Sequence, residues 1–299
     1  MSRVLPVAVV QAAPHVATAP IGEFAAAMRR VVATFPQTKL VACPELHLCG
    51  TTGTAEEKTR RLHAAAEPLD GPRATALSAL AAELGVWLVP GSVCERGADG
   101  ELFNTAVAYA PDGRMAARYR KVFPWRPYEP YDPGDRFVVF DIPGLGRVGL
   151  AICYDLWFPE VARSLAWMGA ELIVCPTQTT TCDREQELVL ARAAAIHNQV
   201  YVLSVNTAGP VGTGRSLLVD PEGIVRVQAP GAAPTVLTDV LDLDAVSRVR
   251  TYGTCGLNRM WGQPREGDAP IALPVYGGSI DPARWTPTSR PDTPGSTDG

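Results

Sequence analysis

Cys153, Lys121, Glu45 and Glu129 are the residues whose types and settings point to a reaction. Cys153 closes the apolar run Val148-Gly149-Leu150-Ala151-Ile152 and opens a polar-aromatic stretch that begins at Tyr154. A buried strand should therefore deliver its thiol to a strand end, where α/β enzymes place reacting groups. Glu45 ends a second apolar run at 40–45, and Lys121 follows Arg118-Tyr119-Arg120. A thiol with a pKa of about 8.5 is mostly protonated at neutral pH, so it needs a base or a cation beside it. Opening an amide also requires a donor where the carbonyl oxygen becomes negative, a contribution on the order of 3 kcal/mol. A lysine held between two carboxylates stays charged. Base, cation and nucleophile make one consistent set.

Such a set needs a scaffold, and the chain alternates strand and helix patterns almost throughout. Strands are expected at 4–11, 40–45, 86–93, 103–110, 115–120, 137–141, 147–153, 171–175, 200–206, 217–219 and 224–228. Helices are expected at 22–34, at 73–84 with Gly85 ending it, from Pro159 to 168, and at 184–198. This mixed order predicts an α/β fold of stacked sheets covered by helices. No linker divides the chain, and 1–262 reads as one domain. From about Gln263 the pattern decays, and 281–299 is rich in Pro, Ser, Thr and Asp. A tail of that composition builds no core of its own and is expected either to wrap a partner subunit or to hang loose.

Composition removes several classes. A net charge of −4 offers no basic field to nucleic acid or anionic lipid. No apolar run approaches the roughly 20 residues of a membrane helix. The first residues run straight into a strand pattern, so no signal peptide is expected. The 7 cysteines have neither disulfide-scaffold nor zinc spacing. Reduced thiols in a cytoplasmic protein are expected instead.

The segments Cys43-Pro44-Glu45-Leu46, Tyr119-Arg120-Lys121 and Ile152-Cys153-Tyr154-Asp155 resemble the three signatures of the nitrilase, or carbon–nitrogen hydrolase, superfamily, in the order Glu, Lys, Cys. Val7-Ala8-Val9-Val10-Gln11, Asn104-Thr105-Ala106-Val107 and Asp220-Pro221-Glu222-Gly223 extend the likeness to nearly everything but the tail. The resemblance implies a four-layer α-β-β-α sandwich of two mixed sheets flanked by helices. It implies a cofactor-free enzyme that hydrolyses a small carboxamide to a carboxylic acid and ammonia through a cysteine acyl-thioester. Cys153 would be the nucleophile, Glu45 the general base, and Lys121 the oxyanion stabiliser, helped by the backbone N–H of Tyr154. Glu129 would match a second glutamate that orients substrate and lysine. A homodimer or larger homo-oligomer is also implied.

Taken singly, each residue has a plainer reading: Cys153 a buried thiol, Glu45 a strand-end carboxylate, Lys121 and Glu129 solvated charges. A Cys–His pair is the competing scheme, with histidines at 15, 47, 63 and 197. His47 could line the pocket without being its base, and His197 stands where many relatives carry glutamate. No His/Asp/Glu cluster has metal-ligand spacing. Cys175 and Cys182 read as ordinary thiols, with a redox pair as the alternative. Trp125, Tyr128, Tyr154 and Trp157 are expected as aromatic walls of a pocket, with Gln178 and Thr179 as its uncharged hydrogen-bonding groups. The stretch 121–129 is similar to the aliphatic amidase and formamidase branch, and 153–160 to carbamoyl-amine amidases. Amide hydrolysis is the first reading. N-carbamoyl-amine hydrolysis, nitrile hydrolysis and a silent binding protein on the same fold are the rivals.

Overall fold

A computed structural model describes residues 2–17, 19, 21–281 and 284. In chain order its elements begin with β1 (Val4–Gln11), α1 (Ile21–Thr34), β2 (Leu40–Ala42), α2 (Ala55–Ala65), α3 (Pro72–Leu84), β3 (Trp87–Val89) and β4 (Ser92–Arg96). Then come β5 (Leu102–Tyr109), β6 (Met115–Arg120), β7 (Val138–Ile142), β8 (Gly146–Leu150), α4 (Pro159–Trp167), β9 (Leu172–Thr177) and α5 (Arg184–Asn198). The last are β10 (Tyr201–Asn206), β11 (Leu217–Val219), β12 (Val225–Gln228), β13 (Thr235–Asp242), α6 (Asp244–Tyr252), β14 (Ile271–Leu273) and β15 (Gly278–Ile280).

Two mixed sheets form the centre. One has seven strands, ordered β13-β1-β2-β3-β5-β4, with β6 also on β5; the other has six, ordered β12-β11-β10-β9-β8-β7. The layering follows from side-chain alternation within strands that are apolar on both faces. Along β1, Leu5, Val7 and Val9 enter the core between the sheets, while Ala8 and Val10 pack with Phe24 and Met28 of α1 and Leu77 and Leu80 of α3. Along β9, Leu172 and Val174 face the same central core. Ile173 and Cys175 pack outward against Val161 and Leu165 of α4 and Leu188 and Ala191 of α5. Each Val, Leu, Ile, Phe or Met side chain among them, withdrawn fully from water, contributes about 1.5–3 kcal/mol. The result is the expected four-layer α-β-β-α sandwich.

The differences from the sequence reading have local causes. The run 86–93 is two strands rather than one, because Gly91 turns the chain at φ +96°. The run 40–45 leaves the sheet after Ala42, and Leu46 takes φ +49°. Residues 151–153 likewise lie beyond β8, and Cys153 opens a 3-10 turn, Cys153–Trp157. Beyond 262, β14 and β15 pair as a hairpin. The expectation for 281–299 falls outside the described residues except at 281 and 284. No helix among the described residues is long and apolar enough to cross a membrane.

Candidate active site

Three chain segments, following β2, β6 and β8, bring Glu45, Lys121, Glu129 and Cys153 together. Lys121 follows β6, with its N–H on the Asn104 carbonyl at 2.9 Å and its own carbonyl accepting from Gly134 N–H at 2.8 Å. Its side chain is fully buried. Nζ donates to Glu45 Oε1 at 3.0 Å and to Glu129 Oε1 and Oε2 at 2.8 and 2.9 Å. Glu129 is fixed in turn by Trp125 N–H, which donates to Oε2 at 2.8 Å. Asn104 Nδ2 donates to Glu45 Oε1 at 2.8 Å. The Glu45 loop is pinned where Leu46 N–H meets Ser92 Oγ at 2.9 Å and Glu45 N–H meets the Thr177 carbonyl of the other sheet at 3.4 Å.

Cys153 sits at φ +46°, a left-handed conformation uncommon outside glycine. Asp155 holds the turn in place. Its Oδ2 accepts from Ile152 N–H and Tyr119 hydroxyl, each at 2.8 Å, and its Oδ1 accepts from Phe123 N–H at 3.0 Å. One buried carboxylate thus ties the thiol's turn to β6 and to the chain after Lys121. Burial pushes the Asp155 carboxyl up to about 6 against the pull of Lys121 and of these donors. Tyr154 is the second residue of the turn, where the first N–H groups of a helix have no partner within it.

The electrostatics fit the chemistry. Burial opposes the charge on Lys121, but Glu45 and Glu129 outweigh it and hold the ammonium protonated well above the ordinary lysine range. Burial, reinforced by Glu129, raises the Glu45 carboxyl despite Lys121, which moves it towards the range of a working base. Burial and the nearby Glu45 push the Cys153 thiol well up, against the pull of Lys121. At rest the thiol keeps its proton, with a carboxylate close by to take it.

A small cavity opens on Cys153, lined among others by Trp125, Tyr154, Trp157, Gln178, Thr179 and Glu187. Trp125, Tyr154 and Trp157 form its aromatic side, with neighbouring ring centroids 6.5 and 5.9 Å apart. Tyr128 is not part of that wall: it is 70% exposed and stacks on the outside of Trp125 at 4.5 Å. Gln178 Nε2 donates to the Glu45 carbonyl at 3.4 Å. Thr179 gives its hydroxyl to Glu187 and its N–H to Asn206 Oδ1 at 2.9 Å.

His47 does not reach the cavity. It is buried against His15 and Phe24, and desolvation, with His15, pushes its pKa down to about 3. Its ring is therefore no partner for the thiol. His197 lies on a groove between α4 and α5. Cys175 is buried, Cys182 is exposed, and both are free. Among the described residues no group of three or more His, Cys, Asp or Glu is arranged to hold a metal ion.

Asn104, Asp155, Gly91 and Glu187 shape the site and were not read as site residues from sequence. Asp155 lies within the third motif segment and Asn104 opens the supporting segment 104–107, each a polar residue beside an apolar run. Glu187 carries a subtler signal. It shares the helix face of Leu188, Ala191 and Ala195, where a carboxylate needs a reason to be buried.

The family model for carbon-nitrogen hydrolases matches residues 6–251. The chain is 36% identical over 202 residues to omega-amidase NIT2-A of Xenopus laevis, covering 62% of this chain and 72% of that protein. Among solved structures, Saccharomyces cerevisiae Nit3, of branch 10 of the nitrilase superfamily, superposes with a TM-score of 0.76 at 27% identity. That match covers 87% of this chain and 98% of Nit3. A cysteine-to-alanine mutant of the amidase from Nesterenkonia sp. AN1, in complex with butyramide, superposes with a TM-score of 0.67 at 26% identity, over 84% and 95%. Sequence, fold and the match over 6–251 agree: this chain belongs to the carbon-nitrogen hydrolase family.

Proposed function

We propose that the chain is a cofactor-free amidase that converts a small carboxamide to a carboxylic acid and ammonia with a Glu45–Lys121–Cys153 triad. The observation that carries this reading is the buried ammonium of Lys121 held between Glu45 and Glu129 at 2.8–3.0 Å, beside a thiol that opens into a small aromatic-walled cavity. Similarity to an omega-amidase and to an amidase solved with butyramide supports the amide class.

In this reading Glu45 takes the Cys153 proton as Sγ attacks the amide carbon. The carbonyl oxygen becomes an oxyanion facing Lys121 Nζ and the Tyr154 N–H. Glu45 returns the proton to the leaving nitrogen, the C–N bond breaks, and ammonia departs from a thioester. Glu45 then takes a proton from water, the hydroxide adds to the thioester, and collapse releases the acid and restores the thiol. Glu129 keeps the ammonium aimed throughout. The cysteines, all free, support a reducing, cytoplasmic setting.

The test is ammonia release from a panel of amides, ureido acids and nitriles, with Cys153→Ala as control. Amides should be turned over, Cys153→Ala should lose at least about 10⁴-fold in rate, and intact mass should show an acyl adduct on the wild-type protein. Ureido acids would also release carbon dioxide, and their preference would select the carbamoyl reading. Turnover that survives Cys153→Ala would overturn the mechanism.

A further inference from the structure

The outer wall of the cavity carries a charge pattern that amide hydrolysis does not require. Asp183, just before α5, and Glu187, in its first turn, both line the cavity. Glu187 is only 9% exposed. Its Oε2 accepts from Arg184 Nη1 at 3.0 Å and from the Thr179 hydroxyl, while Oε1 has no hydrogen-bond partner among the described residues. Arg184 offers no cation to the cavity, because it is 3% exposed and lies outside the wall. Nη1 also meets Ser204 Oγ at 3.1 Å and Nη2 the Arg215 carbonyl at 2.9 Å, while the buried Nε has no hydrogen-bond partner among the described residues. The charged residues lining the cavity are Glu129, Asp183 and Glu187, all acidic, and Glu129 already holds Lys121 with both oxygens. Glu187 and Cys153 line the same small cavity. A group that meets Glu187 is thus within reach of a short acyl chain on the nucleophile.

We propose that Glu187 is a specificity-determining residue whose free oxygen, with Asp183 beyond it, receives a cationic hydrogen-bond donor at the far end of the acyl chain. This deepens the amidase reading and rests on Cys153 as nucleophile. The favoured substrates are then primary amides bearing an ω-amino group. An ammonium taken out of water needs a carboxylate partner, which Glu187 supplies, and the Trp125 and Trp157 rings add attraction for a cation. A carboxylate at the same place meets the Glu187 and Asp183 oxygens, with the Arg184 guanidinium held behind Glu187 and outside the lining, so the same wall disfavours carboxylate-bearing amides.

The experiment compares 4-aminobutanamide, pentanamide and succinamate, which differ at the terminal group as ammonium, methyl and carboxylate. Wild-type kcat/KM should fall in that order. Glu187→Gln should shrink the ratio of 4-aminobutanamide to pentanamide by about 30-fold or more, as expected when one member of a desolvated charge pair is lost. A merely structural role would lower all three rates together and leave the ratio intact. Because Glu187→Gln also disturbs Arg184, a second measurement uses Cys153→Ala, titrated calorimetrically with the same three amides. It reads recognition without turnover and should give the same order. An equal or reversed order, in rates or in binding, overturns the proposal, as does no binding of 4-aminobutanamide at millimolar concentration. If Cys153→Ala binds in the expected order while the wild-type protein turns over none of the three, the nucleophile reading fails and the recognition stands.

Discussion

Lys121 and Glu45, 76 positions apart in the chain, meet as an enclosed ion pair of 3.0 Å whose side chains are 0% and 2% exposed. Their geometry belongs to the fold, since one leaves β6 and the other the loop after β2, and neighbouring backbone groups fix both. Glu129 closes the other side of the ammonium. The lysine is therefore charged and held in one orientation before any substrate arrives, which is the condition for stabilising an oxyanion at small reorganisation cost.

Lys121→Met should remove that charge at nearly constant volume. We expect kcat/KM to fall by about 10²–10³-fold, the cost of losing one oxyanion donor. Stability should fall as well, by roughly 3 kcal/mol, because Glu45 and Glu129 are left facing each other without a cation. Ammonia release and urea denaturation check both. A variant that keeps more than about a tenth of wild-type kcat would remove the lysine from the chemistry.

Gly91→Ala should damage the site from behind. At φ +96° a Cβ on residue 91 would lie 1.8 Å from the Pro44 carbonyl oxygen and 2.9 Å from its carbon, so Pro44 and with it Glu45 must move. The conformation itself also disfavours a side chain. We expect a loss of about 2 kcal/mol or more in stability and a fall in kcat that exceeds any rise in KM. Steady-state kinetics beside thermal denaturation will show whether the two losses travel together. Unchanged kcat in a destabilised protein would mean that the Glu45 loop is held without Gly91.

His47 should make the protein acid-sensitive. Unfolded, its imidazole takes up a proton below about 6.5; folded, burial defers this to about 3. Between those values the unfolded state binds more protons, so this contribution to stability is full above about 6.5 and is lost as pH falls towards 3. The ceiling is on the order of 4–5 kcal/mol, at about 1.4 kcal/mol per pKa unit. Urea midpoints from pH 7 to 4 for wild type and His47→Leu measure it. The wild-type protein should lose more over that range, and parallel curves would show that the ring is hydrated on protonation at little cost.

The sequence was most legible where a single physical rule acts alone. β1 and β9 read correctly because unbroken apolar runs are buried on both faces. The three motif segments were legible as motifs, yet their meeting depends on β2, β6 and β8 lying in two facing sheets, a non-local fact. The strand β13 was missed because only Leu241 of its eight residues is buried, so the alternation is faint, although it pairs with all of β1. The helix α2 was missed for the same reason, as Leu62 is its single buried residue. Its signal lay in the capping box of Thr54 and Glu57 rather than in periodicity. Tyr128 reads as a wall residue because it is an aromatic within the right loop; Trp125 fills that place and leaves Tyr128 outside the lining.

The Asp155 carboxylate, bound at once to Tyr119, Phe123 and Ile152, locks the Cys153 turn to the strand that leads into Lys121. The outer wall is built from a separate stretch, 178–187. In the proposed reading, reactivity and selectivity are thus inherited through different segments of chain. Drift in the wall can retarget the enzyme towards new acyl groups while the reaction centre stays in tune, giving one catalytic engine room to diversify.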